Sequence, residues 1–386
     1  MKIYFIGQKG IPAKFGGIER HVEDLSKKLA ELGHDVFVYT RSNYTDPNLK
    51  KYKKVNLISL PSISTKYLDT ITHTALACFD VIKKDADIIH FHSIGPSSFL
   101  FFVKLLKPKT PIIATFHTKC YLHAKWGIFA KFYLKIGEWI ACKFADKTIT
   151  VSNSLTKYAG KKYRMNPCYI PNGVIIPAPI SANMDNAMFP QQTSESFLQN
   201  WDIKKNEYIL SVSRLIGHKG LHYLIKAYNN IKTDKKLVIT GDGAHTYNYV
   251  KNIKELAKNN SNIIFTGNQT GDALRALYEN AYLFVQPSES EGLSIALLEA
   301  MSYGNAVLVS DIPENKEAIG DDGLTFKSKD AEDLASKLSS LLSQPLLLEN
   351  TGKLNQERVK NFYNWDKIVK RTLEVYEECA DKKNNS

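Results

Sequence analysis

The sequence predicts an α/β protein built from two doubly wound, Rossmann-like domains facing a cleft. Three observations carry that prediction. Short apolar runs alternate with amphipathic segments along most of the 386 residues, the pattern of strand–helix–strand units around a parallel sheet. The alternation breaks once, across a Pro-, Gln-, Ser- and Asn-rich stretch at 171–206, which reads as a linker. It then resumes with the same rhythm, and the length suits two domains of roughly 150 residues each with cores of their own.

The elements follow in order. Residues 3–6 form an apolar run ending at Gly7. Val22, Leu25, Leu29 and Leu32 then recur at helical spacing, with Gly33 as the stop. Further strands are predicted at 35–40, 55–60, 87–93, 111–117, 146–152 and 168–170. The second half predicts strands at 208–213, 236–241, 262–267, 281–288, 306–311 and 323–326. The tail, 345–386, reads as charged helix with Trp365 as a packing anchor. The predicted boundaries are a first domain at 1–178, a linker at 179–206, a second domain at 207–362 and a terminal helix at 363–386.

Composition excludes several classes. With 44% hydrophobic and 23% charged residues the chain is not disordered, and 21 Gly with 14 Pro exclude a collagen-like repeat. Cys78, Cys120, Cys142, Cys168 and Cys379 are scattered without a CxxC pair, so no disulfide framework or structural zinc site is expected, which fits a reducing cytoplasm. No apolar run reaches the roughly 18 residues of a membrane span, and the opening residues do not form a signal peptide. Charge is uneven. Residues 1–180 hold 27 basic and 12 acidic side chains, whereas the rest of the chain nets −3 of the overall +12. Residues 101–166 alone carry 13 basic and 2 acidic residues. One domain therefore meets an anionic partner, or simply presents a lysine-rich solvated surface.

Four loci bear chemistry. The first loop lacks a GxGxxG fingerprint, but Gly16 and Gly17 sit just before a helix, where backbone amides approach an anion closely. Arg214 and Lys219 follow the strand at 208–213, two cations suited to a diphosphate. In the block 287–304, Glu291 and Glu299 are separated by seven residues, one on a loop and one in the following helix. Such a strand end presents two acceptors for sugar hydroxyls beside a row of amide donors. His117 ends an apolar strand, as a hydrogen-bond donor or proton handler would. His90 and His92 lie on one strand face without a third ligand at useful spacing and read as structural. Asp85 and Asp87 superficially match a metal-holding DxD but precede a strand instead of ending one.

These pieces together resemble the retaining glycosyltransferases of family four, of GT-B fold, over nearly the whole chain. The stretches GGIER, RLIGHKG and EGLSIALLEAMSYG carry the resemblance, and the opening with its IPAxxGG loop resembles the bacterial rhamnosyltransferase-like (group 1) branch. The resemblance implies that Gly16 and Gly17 line a donor diphosphate and that Arg214 and Lys219 neutralise it on departure. Glu299 would accept from ribose hydroxyls. Glu291 would lie near the transferred sugar, with the amides of Leu293, Ser294 and Ile295 on hydroxyls or phosphate. His117 would contact the sugar near its reacting carbon, and the base would stack near Gly267 and Asn268. It further implies a terminal helix crossing back to the first domain, a nucleotide-sugar donor, and a glycan or lipid-linked acceptor in cell-surface polysaccharide synthesis. No cofactor or metal is expected. Two departures touch the acceptor and the pocket: HTKCYLHAKWG replaces an acidic stretch, and Leu293-Ser294 replaces an aromatic–glycine step.

Residues 121–144 interleave aromatic and aliphatic side chains with lysines, including Lys125, Trp126, Lys131 and Lys135. Two readings fit. The segment lies on an anionic membrane interface or grips a lipid diphosphate acceptor, or it is a core helix with a lysine face. The first places a cytoplasmic enzyme on the inner leaflet. Competing functions are a nucleotide-sugar epimerase, a glycan phosphorylase (for which no cofactor lysine is evident) and a basic nucleic-acid-binding protein. The last lacks stacking or helix-turn-helix motifs, so no nucleic-acid partner is expected.

Overall fold

The computed structural model of the chain describes residues 1–122, 126–177, 194–243 and 246–384. Most of the predicted linker, and Lys125, lie outside the described residues. The chain divides into two compact units. The first comprises Met1–Gly173, Glu291–Leu293 and Trp365–Ser386; the second comprises Val174–Ser290 and Ser294–Asn364. The division thus falls at Gly173, a few residues before the boundary that composition suggests.

The first unit holds an eight-stranded sheet. Its strands are β1 (Lys2–Ile6), β2 (Asp35–Arg41), β3 (Lys51–Tyr52), β4 (Val55–Leu60), β5 (Ile88–His92), β6 (Ile112–Phe116), β7 (Lys147–Thr150) and β8 (Cys168–Tyr169). They lie in the order β3-β4-β2-β1-β5-β6-β7-β8. All neighbours are parallel except β3 with β4. The hairpin strand β3 is the one strand of this unit that the apolar pattern misses: its sequence is only Lys-Tyr, and Lys53 and Lys54 turn the chain at positive φ.

Successive strand residues point to opposite faces, and the sheet is buried on both. Ile3, Phe5, Val36, Val38 and Ile88 face one core; Tyr4, Ile6, Tyr39, Ile89 and Phe91 face the other. The helix Gly17–Glu31 covers the first face with Val22, Leu25 and Leu29, joined there by Trp365, Ile368, Val369 and Tyr376 of the C-terminal helix Trp365–Asn384. The tail therefore completes the core of the unit that begins the chain. Trp365 seats so closely on Gly173 that a Cβ there would lie 2.5 Å from its ring.

The second unit holds six parallel strands, β9 (Tyr208–Val212), β10 (Lys236–Thr240), β11 (Ile263–Gly267), β12 (Leu283–Gln286), β13 (Val307–Ser310) and β14 (Leu324–Phe326). Their order is β11-β10-β9-β12-β13-β14. Its core is aliphatic, centred on Ile209, Leu237, Ile239, Leu283, Val285 and Leu308. Both sheets are thus doubly wound, each starting at a central strand and reversing direction beside it.

Candidate active site

Ligands of such sheets gather at the carboxyl ends of the strands, where the winding direction reverses. In the second unit that point lies between β9 and β12, and the two loops leaving these strands carry most of the predicted residues. Arg214 follows β9, and Lys219 ends a short 3-10 turn, Gly217–Lys219. The loop after β12 runs beside them. Glu289 N–H donates to the His218 carbonyl at 2.8 Å. Gly220 has φ +71°, and a Cβ on it would stand 1.8 Å from the Pro287 carbonyl, so glycine is what lets the two loops meet. Arg214 is half-buried, and among the described residues its guanidinium has no protein partner.

Glu299 lies in the helix Ile295–Ser302 and accepts from the Tyr278 hydroxyl at 3.1 Å. Tyr278 is buried and stacked on Tyr303, with centroids 5.6 Å apart. It supplies the partner that a carboxylate in apolar surroundings requires, and nothing in local spacing announces it. The Ser294 hydroxyl is occupied structurally: it caps the helix at Leu297 N–H and donates to Gln286 Oε1 at 2.6 Å. What this turn can offer a ligand is main chain, since the N–H groups of Ile295 and Ala296 have no intrahelical acceptor. Gly267 and Asn268 are exposed at the end of β11, two strand spacings or about 10 Å from β9.

In the first unit the reversal lies between β1 and β5. The loop after β1 is pinned by side chains: Glu19 accepts from Lys9 N–H at 3.1 Å, Glu23 from Ala13 N–H at 2.6 Å, and the Tyr44 hydroxyl from Lys14 N–H at 2.7 Å. Gly16 adopts φ +100° as the helix N-cap, and Gly17 opens the helix exposed to solvent. The segment Glu291–Leu293 belongs with this unit. Asn172 donates to the Leu293 carbonyl at 2.8 Å, and a Cβ on Gly292 would stand 1.6 Å from the His117 carbonyl. Gly292 thus brings the Glu291 loop directly onto the end of β6. Glu291 is only 9% exposed.

His117 does not stand alone. His92 Nδ1 is 3.1 Å from His117 Nε2, and the His21 ring lies 5.0 Å from that of His117. One nitrogen from each of His21, His92 and His117 falls within 4.8 Å of the others. Burial pushes His21 down to about 4 and holds His92 and His117 well below the ordinary histidine range, so the cluster is neutral. His90, by contrast, is satisfied by the Tyr376 and Thr115 hydroxyls, both at 2.7 Å. His90 is thus held structurally, whereas His92 meets two further imidazoles that spacing along the chain does not reveal. The histidines beside His92 come from the helix Gly17–Glu31 and the end of β6, a proximity that only the fold creates. Neutral imidazoles at this strand end can hydrogen-bond a sugar hydroxyl, and the three together are a group that could hold a metal ion.

The helix Ile128–Phe144 settles its two readings in space. Leu134, Gly137, Ile140 and Ala141 are buried. Ile128 is 84% exposed, Phe129 91%, Phe132 65% and Trp139 46%. It is a core helix with an uncovered apolar face. Lys131 and Lys135 are exposed, and Trp126 is half-buried, 6.1 Å from the Tyr67 ring. No helix among the described residues is long and apolar enough to cross a membrane.

Two family models match the chain. Residues 15–176 match "Glycosyltransferase Family 4", and residues 194–361 match "Glycosyl transferases group 1". The chain is 26% identical to the gpi3 subunit of phosphatidylinositol N-acetylglucosaminyltransferase from Schizosaccharomyces pombe, over 96% of this chain and 79% of that one. It is 28% identical to N,N'-diacetylbacillosaminyl-diphospho-undecaprenol alpha-1,3-N-acetylgalactosaminyltransferase from Campylobacter jejuni, over 62% of each. Among solved structures, Anabaena HepE in complex with UDP-glucose superposes with a TM-score of 0.79 at 17% identity, covering 98% of this chain and 100% of that one.

Proposed function

Because the chain belongs to the group 1 glycosyltransferases of GT-B fold, we propose that it transfers a sugar, with retention, from a nucleotide-diphosphate donor to a lipid-linked acceptor at an anionic membrane surface. The observation that supports the donor half is the meeting of the β9 and β12 loops, where Glu289 N–H bonds the His218 carbonyl, one loop carrying Arg214 and Lys219 and the other leading into the helix that bears Glu299. Arg214, Lys219 and the first-turn amides neutralise the leaving diphosphate, whose charge grows as the glycosidic bond breaks. Glu299, held by Tyr278, accepts from ribose hydroxyls. Glu291 and His117 take the hydroxyls of the transferred sugar, and Gly16 with Gly17 gives backbone access to the phosphates. The cations supply the countercharge, so no metal is required.

The test is product stereochemistry. Incubation with UDP-, GDP- and dTDP-sugars and a phosphorylated lipid acceptor, followed by NMR of the new anomeric centre, gives the donor's own configuration. Glu299→Gln weakens donor binding about tenfold, the scale of one lost charge-assisted hydrogen bond. An inverted product overturns the retaining reading. Activity unchanged in EDTA supports the metal-free one. Activity that dies in EDTA and returns with zinc transfers that role to the cluster of His21, His92 and His117.

The acceptor half rests on the uncovered face of Ile128–Phe144, where exposed aromatics lie beside lysines. Such a face enters the headgroup region, with each lysine near an anionic surface contributing about 1 kcal/mol. The protein therefore sediments with phosphatidylglycerol-containing vesicles at low salt and less with pure phosphatidylcholine. Phe129→Ser with Phe132→Ser releases it from both. Undiminished sedimentation of that variant refutes the face.

A further inference from the structure

Beside the apolar face lies a second, polar cluster. Glu138, fully buried, accepts through Oε1 from the hydroxyls of Tyr158 at 2.8 Å and Tyr163 at 2.6 Å and from Lys162 Nζ at 2.8 Å. The Tyr158 hydroxyl also lies 2.7 Å from that of Tyr121. Three ammonium groups converge on this tyrosine pair. Lys119 sits 4.9 Å from the Tyr158 ring centroid, Lys135 sits 5.7 Å from that of Tyr121, and Lys162 lies within 5.1 Å and 6.0 Å of the two.

Among the described residues neither Lys119 nor Lys135 has a carboxylate partner, so Glu138 alone offsets three positive charges. The aromatic faces answer only a small part of this positive charge. An anion at the tyrosine pair would meet what is left of it.

Place adds to charge. Lys119 stands two residues beyond His117, at most about 7 Å along the chain, roughly one sugar's length from the reacting centre. Lys135 is on the same helix as the exposed aromatics. At 100° per residue it falls between the outward stripe of Ile128, Phe132 and Trp139 and the inward Glu138. Anion site and apolar face are therefore contiguous, the layout of an amphiphile with its charge next to its hydrocarbon.

We infer that Lys119, Lys135 and Lys162, gathered over the Tyr121–Tyr158 pair, bind the phosphate of a lipid acceptor whose hydrocarbon runs along the exposed face of Ile128–Phe144. The inference rests on the proposed lipid acceptor and names the residues that recognise it. Buried Glu138 is a positioning residue that fixes Tyr158, Tyr163 and Lys162.

The test is equilibrium binding of farnesyl diphosphate, farnesol and inorganic pyrophosphate to the full chain with its donor site saturated by UDP, GDP and dTDP together. Farnesyl diphosphate is expected to bind at least tenfold more tightly than either farnesol or pyrophosphate. Lys119→Ala with Lys135→Ala should lower that affinity at least tenfold, Lys→Arg at both should restore most of it, and UDP affinity should stay unchanged. Farnesol binding as well as its diphosphate, or a double variant without effect, overturns the phosphate site. Pyrophosphate binding as well as farnesyl diphosphate overturns the lipid. A parallel fall in UDP affinity also overturns the proposal, because it shows general damage. Failure of the glycosyltransferase reading itself registers separately, as absence of binding of UDP, GDP and dTDP alike to the unaltered protein.

Discussion

Arg214→Ala and Lys219→Ala are each expected to lower kcat by about 10²- to 10³-fold, with a far smaller change in KM. The asymmetry follows from when the charge appears. A donor diphosphate is anionic before reaction, but the bond-breaking oxygen gains its charge only as the sugar departs, and groups that answer developing charge act on kcat. A half-buried guanidinium without a protein partner among the described residues, at the β9–β12 reversal, is arranged for a ligand. Its removal leaves no orphaned protein group, so the variant folds, with a Tm within about 2 °C of the unaltered chain. Arg214→Lys retains charge but loses the planar fork and falls between. Single-turnover measurements separate the chemical step from product release. A kcat within a factor of three of normal in both alanine variants would remove these cations from the reaction.

The second large effect is acid instability. His21, His90, His92 and His117 are all buried and neutral in the folded first unit, and burial drives each below its ordinary value, His21 to about 4. His73, also buried, joins them at about 4, with Arg41 adding repulsion. The unfolded chain takes up these protons near pH 6.5, and the folded one refuses them until far lower pH. Their stabilising contribution is whole above 6.5 and is lost as pH falls toward the folded values, at up to about 1.4 kcal/mol per unit for each histidine. Five acting together approach about 7 kcal/mol per unit, against a total stability on the order of 5–15 kcal/mol. Urea midpoints from pH 7.5 to 4.5 should fall steeply below 6.5, before most carboxylates titrate. A flat profile between pH 7 and 5 rules this out.

Legibility varied with the reach of the forces involved. Thirteen strands were readable because each is an apolar run, and apolar runs are what a doubly covered sheet demands. The hairpin strand at Lys51–Tyr52 was not, since edge pairing imposes little on side chains. The loops bearing Arg214, Lys219 and Glu291, and the helix bearing Glu299, were readable because strand ends and glycines mark them. The settings of those residues were not. Tyr278 beneath Glu299 and His21 beside His117 arrive from other elements, and sequence spacing carries no trace of them. The helix Ile128–Phe144 is apolar on both sides, so periodicity could not tell which side was covered. Only the neighbours that pack on Leu134 and Ala141, and leave Phe129 bare, decide it.

The return of Trp365–Asn384 to the first unit has a consequence for biosynthesis. A ribosome that has emitted residues 1–173 has not yet made the segment that shields Val22, Leu25 and Leu29. The intervening half can close earlier, although it begins later. Until residues 365–384 have left the ribosome, the nascent amino-terminal sheet keeps a greasy flank open to chaperones. A message cut short before residue 365 would yield a product whose damage appears in the unit formed by residues 1–173.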